Sequence, residues 1–233
     1  MRKGFNILTY VIIGFLILIS IFNFQYQLAT GPFMGGIFYF LILLCGLIFS
    51  IIFIFVNRKT GMRTMLPVAG LILSLFISFG GLNLGISYKL FYLLNKSDFQ
   101  KLESQLKKHP NLKEMTDMLR YSKRINSKYL GNYEDYRTKQ ELESAFGDYL
   151  NSSGIDVNLV YDIRKRMEYL NVISLTNSEQ SLCLTVDGMI DNEYGFIKFY
   201  GKVPELGEGI EPFGFTLINL IHVGDNWYFF ATT

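Results

Sequence analysis

The first acidic residue of this chain is Asp98. The 97 residues before it contain neither Asp nor Glu, and all 20 acidic residues follow. The acid-free part holds three apolar runs, Phe5–Phe24, Gly35–Val56 and Leu66–Ile86, separated by two short loops. Each run is about 20 residues, the length a helix needs to cross about 30 Å of hydrocarbon, and none carries a charge. A soluble helix of this length would normally show a polar face. The sequence therefore predicts three transmembrane helices in a membrane domain, residues 1–90. A soluble domain, residues 97–233, follows.

Charge supports the same division. Arg2, Lys3, Arg58, Lys59, Arg63, Lys89 and Lys96 give residues 1–97 a net +7, whereas the remaining residues carry 15 basic and 20 acidic side chains, a net −5. Neither part is a strongly basic surface, so nucleic acid is not an expected partner. The first run has a basic start, as a signal peptide does. Its apolar stretch is longer than a signal core, and Gln27-Leu28-Ala29 is a poor cleavage site, so an uncleaved helix is expected.

Loop 25–34 is uncharged, whereas the N-terminus holds Arg2 and Lys3 and loop 57–65 holds Arg58, Lys59 and Arg63. Positive charge marks the cytoplasmic side. Three spans then place the N-terminus in the cytoplasm and the C-terminal domain outside it, in a multi-pass cell-membrane protein. Lys89 alone argues the other way. Gly70, Ser74 and Ser78, with Gly81 and Gly85, repeat at helical spacing and suit close helix approach. No ionisable residue lies at membrane depth, which argues against a channel or transporter. Residues 87–96, with Tyr88, Phe91 and Tyr92, read as interfacial. Cys45 lies in an apolar run and Cys183 in the soluble part, so no disulfide joins them.

The soluble part opens with helix signals. Ser97 with Gln100 reads as a capping box before Phe99, Leu102 and Leu106, with Pro110 as the stop. Asn111 with Glu114 predicts a second helix closing near Gly131. Thr138 with Glu141 predicts a third, ending before Gly154. Residues 155–170 fit both a strand and a helix, and alternation of Ile155, Val157, Leu159, Tyr161 and Ile163 tips the reading to a strand. From Val172 onward the pattern is β. Strands 216–223 and 227–231 flank Gly224-Asp225-Asn226, a tight hairpin turn. The expected product is an α+β domain, with helices packed on an antiparallel sheet.

This order, helices and then a meander closing in Gly-Asp-Asn-Trp-Tyr-Phe-Phe, resembles the NTF2-like or cystatin-like class, whose members often place a Trp on the last strand. The resemblance covers residues 97–233 and implies a fold, not a function.

Few residues point to chemistry. His109 precedes Pro110 at a helix end, and His222 sits in a strand. Without a third His or a Cys partner neither suggests zinc. Asp187, Asp191 and Glu193 surround a turn. Three carboxylates there would suit calcium, but their spacing is not an EF-hand's, and turn residues commonly bond nearby backbone. Arg164-Lys165-Arg166 reads as a solvated face, or as a binder of anionic headgroups or cell-wall polymer. Trp227 and Tyr200 are either sheet core or the lining of an apolar pocket. No nucleophile elbow, P-loop or dinucleotide fingerprint is present, and no cofactor is expected. The sequence favours a non-enzymatic binding or assembly module whose partners are the lipid bilayer and another membrane or envelope protein. The alternatives are a small-ligand sensor with an apolar pocket built on Trp227, Tyr200 or His222, and an enzyme acting on lipid or cell wall.

Overall fold

The structure is a computed structural model, describing residues 2–116, 123–129, 137–189, 192–210 and 215–233. Contacts divide the chain into two units, Met1–Phe91 and Tyr92–Thr233.

The first unit is helical: α1 (Arg2–Ile21), α2 (Asn23–Thr30), α3 (Pro32–Asn57), 3-10 turns over Arg58–Met65, α4 (Leu66–Leu84) and the start of α5 (Ile86–Leu94). Arg2–Ile21 and Phe33–Asn57 are long and apolar enough to cross a membrane. The third apolar stretch, Arg63–Phe79, is shorter. The predicted loop 25–34 is instead mostly the helix α2, joined to α3 at Gly31. Thr30 donates to the Tyr26 carbonyl (2.8 Å) and Tyr26 Oη to the Gly35 carbonyl (3.2 Å).

The unit exposes large apolar side chains and buries hydroxyls beside an apolar core. Ile7, Phe40, Phe55 and Phe76 are exposed. Ser20 and Ser74 are buried, and Ser20 Oγ lies 2.8 Å from Ser74 Oγ. Tyr39 Oη joins them, 3.2 Å from both Ser20 and Ser74 and 2.7 Å from Ser78. One hydroxyl cluster thus ties α1, α3 and α4 together. Beside it Ile13, Leu16 and Leu71 form the apolar core. Gly70 sits where α4 meets α1: a Cβ there would collide with Ile13 Cγ2. The small-residue stripe is therefore a packing face within the unit. Gly70→Leu should separate α1 from α4 and reduce the yield of monodisperse protein, while Gly36→Leu, where a Cβ meets nothing within 4 Å, should not; size-exclusion chromatography checks the pair.

At one end of this unit, buried Asn57 accepts from Arg2 Nε (3.1 Å) and Nη2 (3.0 Å) and exchanges bonds with Asn6. The N-terminus and the α3–α4 link therefore share that end, and so do their basic residues. α4 ends at Gly85 (φ 66°), and α5 follows. Phe91 and Tyr92 are buried rather than interfacial; the exposed apolar side chains of α5 are Leu93 and Leu94.

The second unit is α+β. Its elements are α6 (Lys96–Lys108), β1 (Glu114–Thr116), β2 (Arg124–Ile125), β3 (Lys128–Tyr129), α7 (Lys139–Ser152), α8 (Val157–Tyr169), β4 (Ser174–Asn177), β5 (Ser181–Met189), β6 (Asn192–Phe199), β7 (Gly209–Ile210), β8 (Phe215–Gly224) and β9 (Trp227–Thr232). Eight strands form one antiparallel sheet, β3-β2-β1-β4-β5-β6-β9-β8, and the two-residue β7 extends its β8 edge. In register across seven strands run Ile125, Met115, Leu175, Leu184, Phe196, Phe229 and Ile221. α6 presents Phe99 to this face, edge-on to Phe196 (5.2 Å between centroids) and Trp227 (4.9 Å). The opposite face carries a smaller cluster of Cys183, Ile197, Phe199, Leu217 and Phe230.

Three local expectations fail here. The predicted helix from Asn111 is instead β1 to β3 among its described residues. Met115 and Ile125 are fully buried by pairing with each other and with β4, and that pairing overrides helical spacing. Asn126 makes the turn possible: it sits at φ 49°, and its side chain takes the amides of Lys113 (2.8 Å) and Glu114 (3.0 Å). Segment 155–170 is helix, not strand. Leu159, Val160, Ile163 and Met167 form its buried stripe, and Asp156 caps it by accepting from the Asn158 amide at 2.9 Å. α6 begins at Lys96 after Asn95, without the Ser97–Gln100 box. The Thr138–Glu141 box forms as expected, with both reciprocal bonds.

The terminal hairpin turns through Asp225 (φ 50°) and Asn226 (φ 61°), the paired left-handed conformation of a tight turn. Trp227 is fully buried. Opposite it, Gly224 leaves room that the Tyr92 ring fills, and Tyr92 Oη donates to Asp225 (2.9 Å). Removing a buried aromatic side chain costs about 3–5 kcal/mol. Trp227→Ala in the full chain should therefore abolish the cooperative melting of the second unit or lower its Tm sharply, as read by near-UV circular dichroism.

Candidate functional site

The sequence-predicted site residues do not converge. Trp227 is core and lines no described hollow. His222 is exposed on β8, its ring 5.1 Å from that of Tyr228. Asp187 accepts from the Gly188 amide (2.8 Å) and from Tyr194 Oη (3.3 Å), whereas Glu193 accepts from Thr185 Oγ1 (3.2 Å). Asp191 lies outside the described residues. No group of three metal-ligating side chains occurs among the described residues.

The basic run is likewise divided. Arg164 is buried and donates to the Arg137 carbonyl (3.4 Å) and to Glu168 (3.3 Å). Arg166 pairs with Asp98 of α6. Only Lys165 is a surface cation of the kind expected, near Glu168 and the Tyr161 ring. Three consecutive residues of a helix point about 100° apart, so they make no common patch.

Tyr200 alone reaches a groove. An open hollow of about 760 Å³ lies between the C-terminal end of α6 and the β4–β5 turn, lined by Lys107, Asn111, Lys113, Asn177, Ser178 and Tyr200 among others. A smaller one, about 400 Å³, is lined by Gln180, Ser181, Phe199, Lys202 and Pro204. The Tyr200 amide donates to the Gln180 carbonyl (2.8 Å), so the residue after β6 is fixed to the β4–β5 turn.

Beside the groove is a compact ionic cluster. Glu103 accepts from Lys198 Nζ and Lys107 Nζ, both at 2.7 Å. Burial pushes the Glu103 carboxyl up, but the bonds from the two ammonium groups outweigh it and hold the group below the usual carboxylate range. Lys107 lies 5.0 Å from the Tyr200 ring centroid, a cation–π distance. Burial, then the Glu103 charge, push the Tyr200 hydroxyl up to about 12, so it stays protonated at neutral pH. The lining sets Lys107 and Lys113 against Glu114 and Glu179, with amides and hydroxyls over a largely apolar wall. Its charges balance, so the groove carries no bias toward anions. Among the described residues neither histidine shares a hydrogen bond with a Ser, Thr, Cys, Asp or Glu side chain.

No sequence signal marked the groove beyond Tyr200. Its lining comes from residues 106–114, 176–179 and 200, which only the fold brings together. Comparisons with protein-family models, curated proteins and solved structures return no match.

Glu193 generates a pH prediction. Burial raises its carboxyl above the usual range, and the Thr185 bond only partly opposes this. A folded-state value above the unfolded one means that ionisation destabilises the fold as pH rises through and above the ordinary glutamate range; below it the penalty is absent. Glu193→Gln keeps an acceptor for Thr185 and removes the charge. It should raise Tm at pH 7, with the gain vanishing in acid; thermal melts across pH check the sign.

Proposed function

We propose that the chain is a multi-pass membrane protein whose three apolar helices anchor an extracytoplasmic α+β domain of the NTF2-like class, and that this domain is a non-enzymatic binding or assembly module. The observation that carries the reading is the inverted arrangement of the first unit. Its hydroxyls Ser20, Tyr39, Ser74 and Ser78 bond one another between helices, while Phe40, Phe55 and Phe76 face outward. Exposed apolar surface on this scale is stable against lipid and costly against water.

Orientation rests on the basic end. Arg2 bonds Asn57, so the N-terminal and α3–α4 basic residues lie at one end of the unit, the end that the positive-inside bias assigns to the cytoplasm. Three crossings then carry the second unit to the other side. A helix, α6, packed on the sheet through Phe99 and a terminal hairpin bearing Trp227 support the NTF2-like reading. The binding role rests on the groove at Tyr200, whose apolar wall and balanced Lys and Glu side chains would take an amphipathic part of an envelope component. The small-ligand alternative would have to use the hollow at Tyr200, since Trp227 is core.

A reporter active only outside the cytoplasm, fused after Thr233, should be active, and the same reporter inserted after Lys59 should be silent. The reversed pattern would place the domain in the cytoplasm. Alkaline carbonate should leave the chain in the membrane pellet; extraction would overturn the anchor.

A further inference from the structure

The chain neutralises its cations in one unit and not in the other. In the second unit Lys96 pairs with Asp225, Lys107 and Lys198 with Glu103, and Arg166 with Asp98. The first unit holds Arg2, Lys3, Arg58, Lys59, Arg63 and Lys89 but no Asp or Glu, so no side chain within it can neutralise them. All of these except Lys89 belong to the N-terminus and the α3–α4 link. Arg2 ties the two together, donating from Nε (3.1 Å) and Nη2 (3.0 Å) to the buried Asn57 side chain. Arg58 follows Asn57 directly, so this bond brings the Arg2 guanidinium beside the start of the link. Lys3, Arg58 and Arg63 are exposed, and their side chains bond nothing among the described residues. Apolar surface adjoins these cations. Phe55 and Val56 precede the link, Met65 and Leu66 close it, and all four are exposed.

We propose that this end of the first unit is a binding site for phospholipids with an anionic headgroup. Arg2, Arg58 and Arg63 take the headgroup phosphate, and the acyl chains lie against Phe55, Val56, Met65 and Leu66. Guanidinium groups present donors in a planar fork that matches phosphate oxygens. Two features choose the ligand. The unneutralised charge favours a net anionic headgroup over a zwitterionic one, whose own cation it repels. The apolar side chains beside it favour a lipid over free phosphate, which would leave them bare. That the headgroup belongs to the cytoplasmic leaflet rests on the proposed topology, whereas the unpaired cations and the apolar side chains next to them do not.

The test uses the full chain purified in a neutral detergent and incubated with equal amounts of phosphatidylglycerol and phosphatidylcholine carrying the same acyl chains. Native mass spectrometry should count several-fold more phosphatidylglycerol than phosphatidylcholine retained per chain. Arg58→Gln combined with Arg63→Gln alters only exposed side chains. It should bring the two lipids level and leave the melting temperature in lipid-free detergent unchanged. Lys89→Gln, which removes an exposed cation of α5, should leave the preference intact. Equal retention of the two lipids by the unaltered chain would overturn the inference. So would a preference that survives the double substitution, or one that Lys89→Gln abolishes as fully. Excess inorganic phosphate should not displace the bound lipid; displacement would make this end a free-anion site and also overturn the inference. Carbonate extraction of native membranes separates the two readings: an extracted chain that still prefers phosphatidylglycerol keeps the site and loses the anchor, while a retained chain with no preference does the reverse.

Discussion

Phe99 is the side chain on which the second unit is assembled. Its ring meets three others edge-on: Tyr92 at 5.2 Å, Phe196 at 5.2 Å and Trp227 at 4.9 Å. Those rings belong to α5, β6 and β9, so one residue of α6 joins the entry helix, the middle of the sheet and the terminal hairpin. All four are nearly or fully buried. Edge-to-face contacts add directionality to burial. They fix the rotation of α6 about its own axis, which in turn presents Glu103 to Lys198. The polar groove beside Tyr200 then follows, because its α6 wall is the next turn of the same helix.

The first unit solves the opposite problem. On the proposed membrane reading, lipid would offer no hydrophobic drive for helices to associate, and contact would have to come from close packing and interhelical hydrogen bonds. Gly70 supplies the first by letting α4 approach Ile13 of α1, and the Ser20–Tyr39–Ser74–Ser78 cluster supplies the second. Four hydroxyls thus bond one another between the helices.

Much of this was legible in the sequence where the signal was local. Two of the three apolar runs, the Thr138–Glu141 box, the Gly224-Asp225-Asn226 turn and the burial of Trp227 each depend on neighbours within a few residues, and these appear in the structure, whereas the third run gives a shorter apolar helix. What depends on partners far along the chain was not legible. Residues from Asn111 onward have helical spacing, yet Met115 is committed to Leu175, sixty positions away. In 155–170 two periodicities overlapped, and the decisive fact was which stripe met the rest of the domain: Leu159, Val160, Ile163 and Met167 are buried while Val157, Tyr161 and Tyr169 are not. The candidate carboxylates were adjacent in sequence, but alternation along the sheet gives Asp187 and Glu193 different partners. The groove, drawn from three separate segments, left only Tyr200 as a trace.

The charge boundary that divides the sequence acquires a structural reason in the fold. The first two acidic residues, Asp98 and Glu103, both lie on α6, and both are spent on tertiary contacts: Asp98 on Arg166 of α8, Glu103 on Lys198 of β6. The last basic residue before them, Lys96, pairs with Asp225 in the terminal turn at 2.8 Å. Lys96–Asp225 is half exposed and contributes little, but Glu103–Lys198 is largely shielded, and there removing one partner would strand the other. Acidic side chains therefore begin where the chain first has cations of its own fold to meet. Upstream, the first unit buries hydroxyls and amides among apolar side chains; on the proposed membrane reading a carboxylate at that depth would have had no such partner, and its desolvation would have gone uncompensated. Asp98 and Glu103 thus have a counter-charge built beside them, whereas Glu193, half-buried with only the Thr185 hydroxyl as partner, is the carboxylate for which burial costs stability.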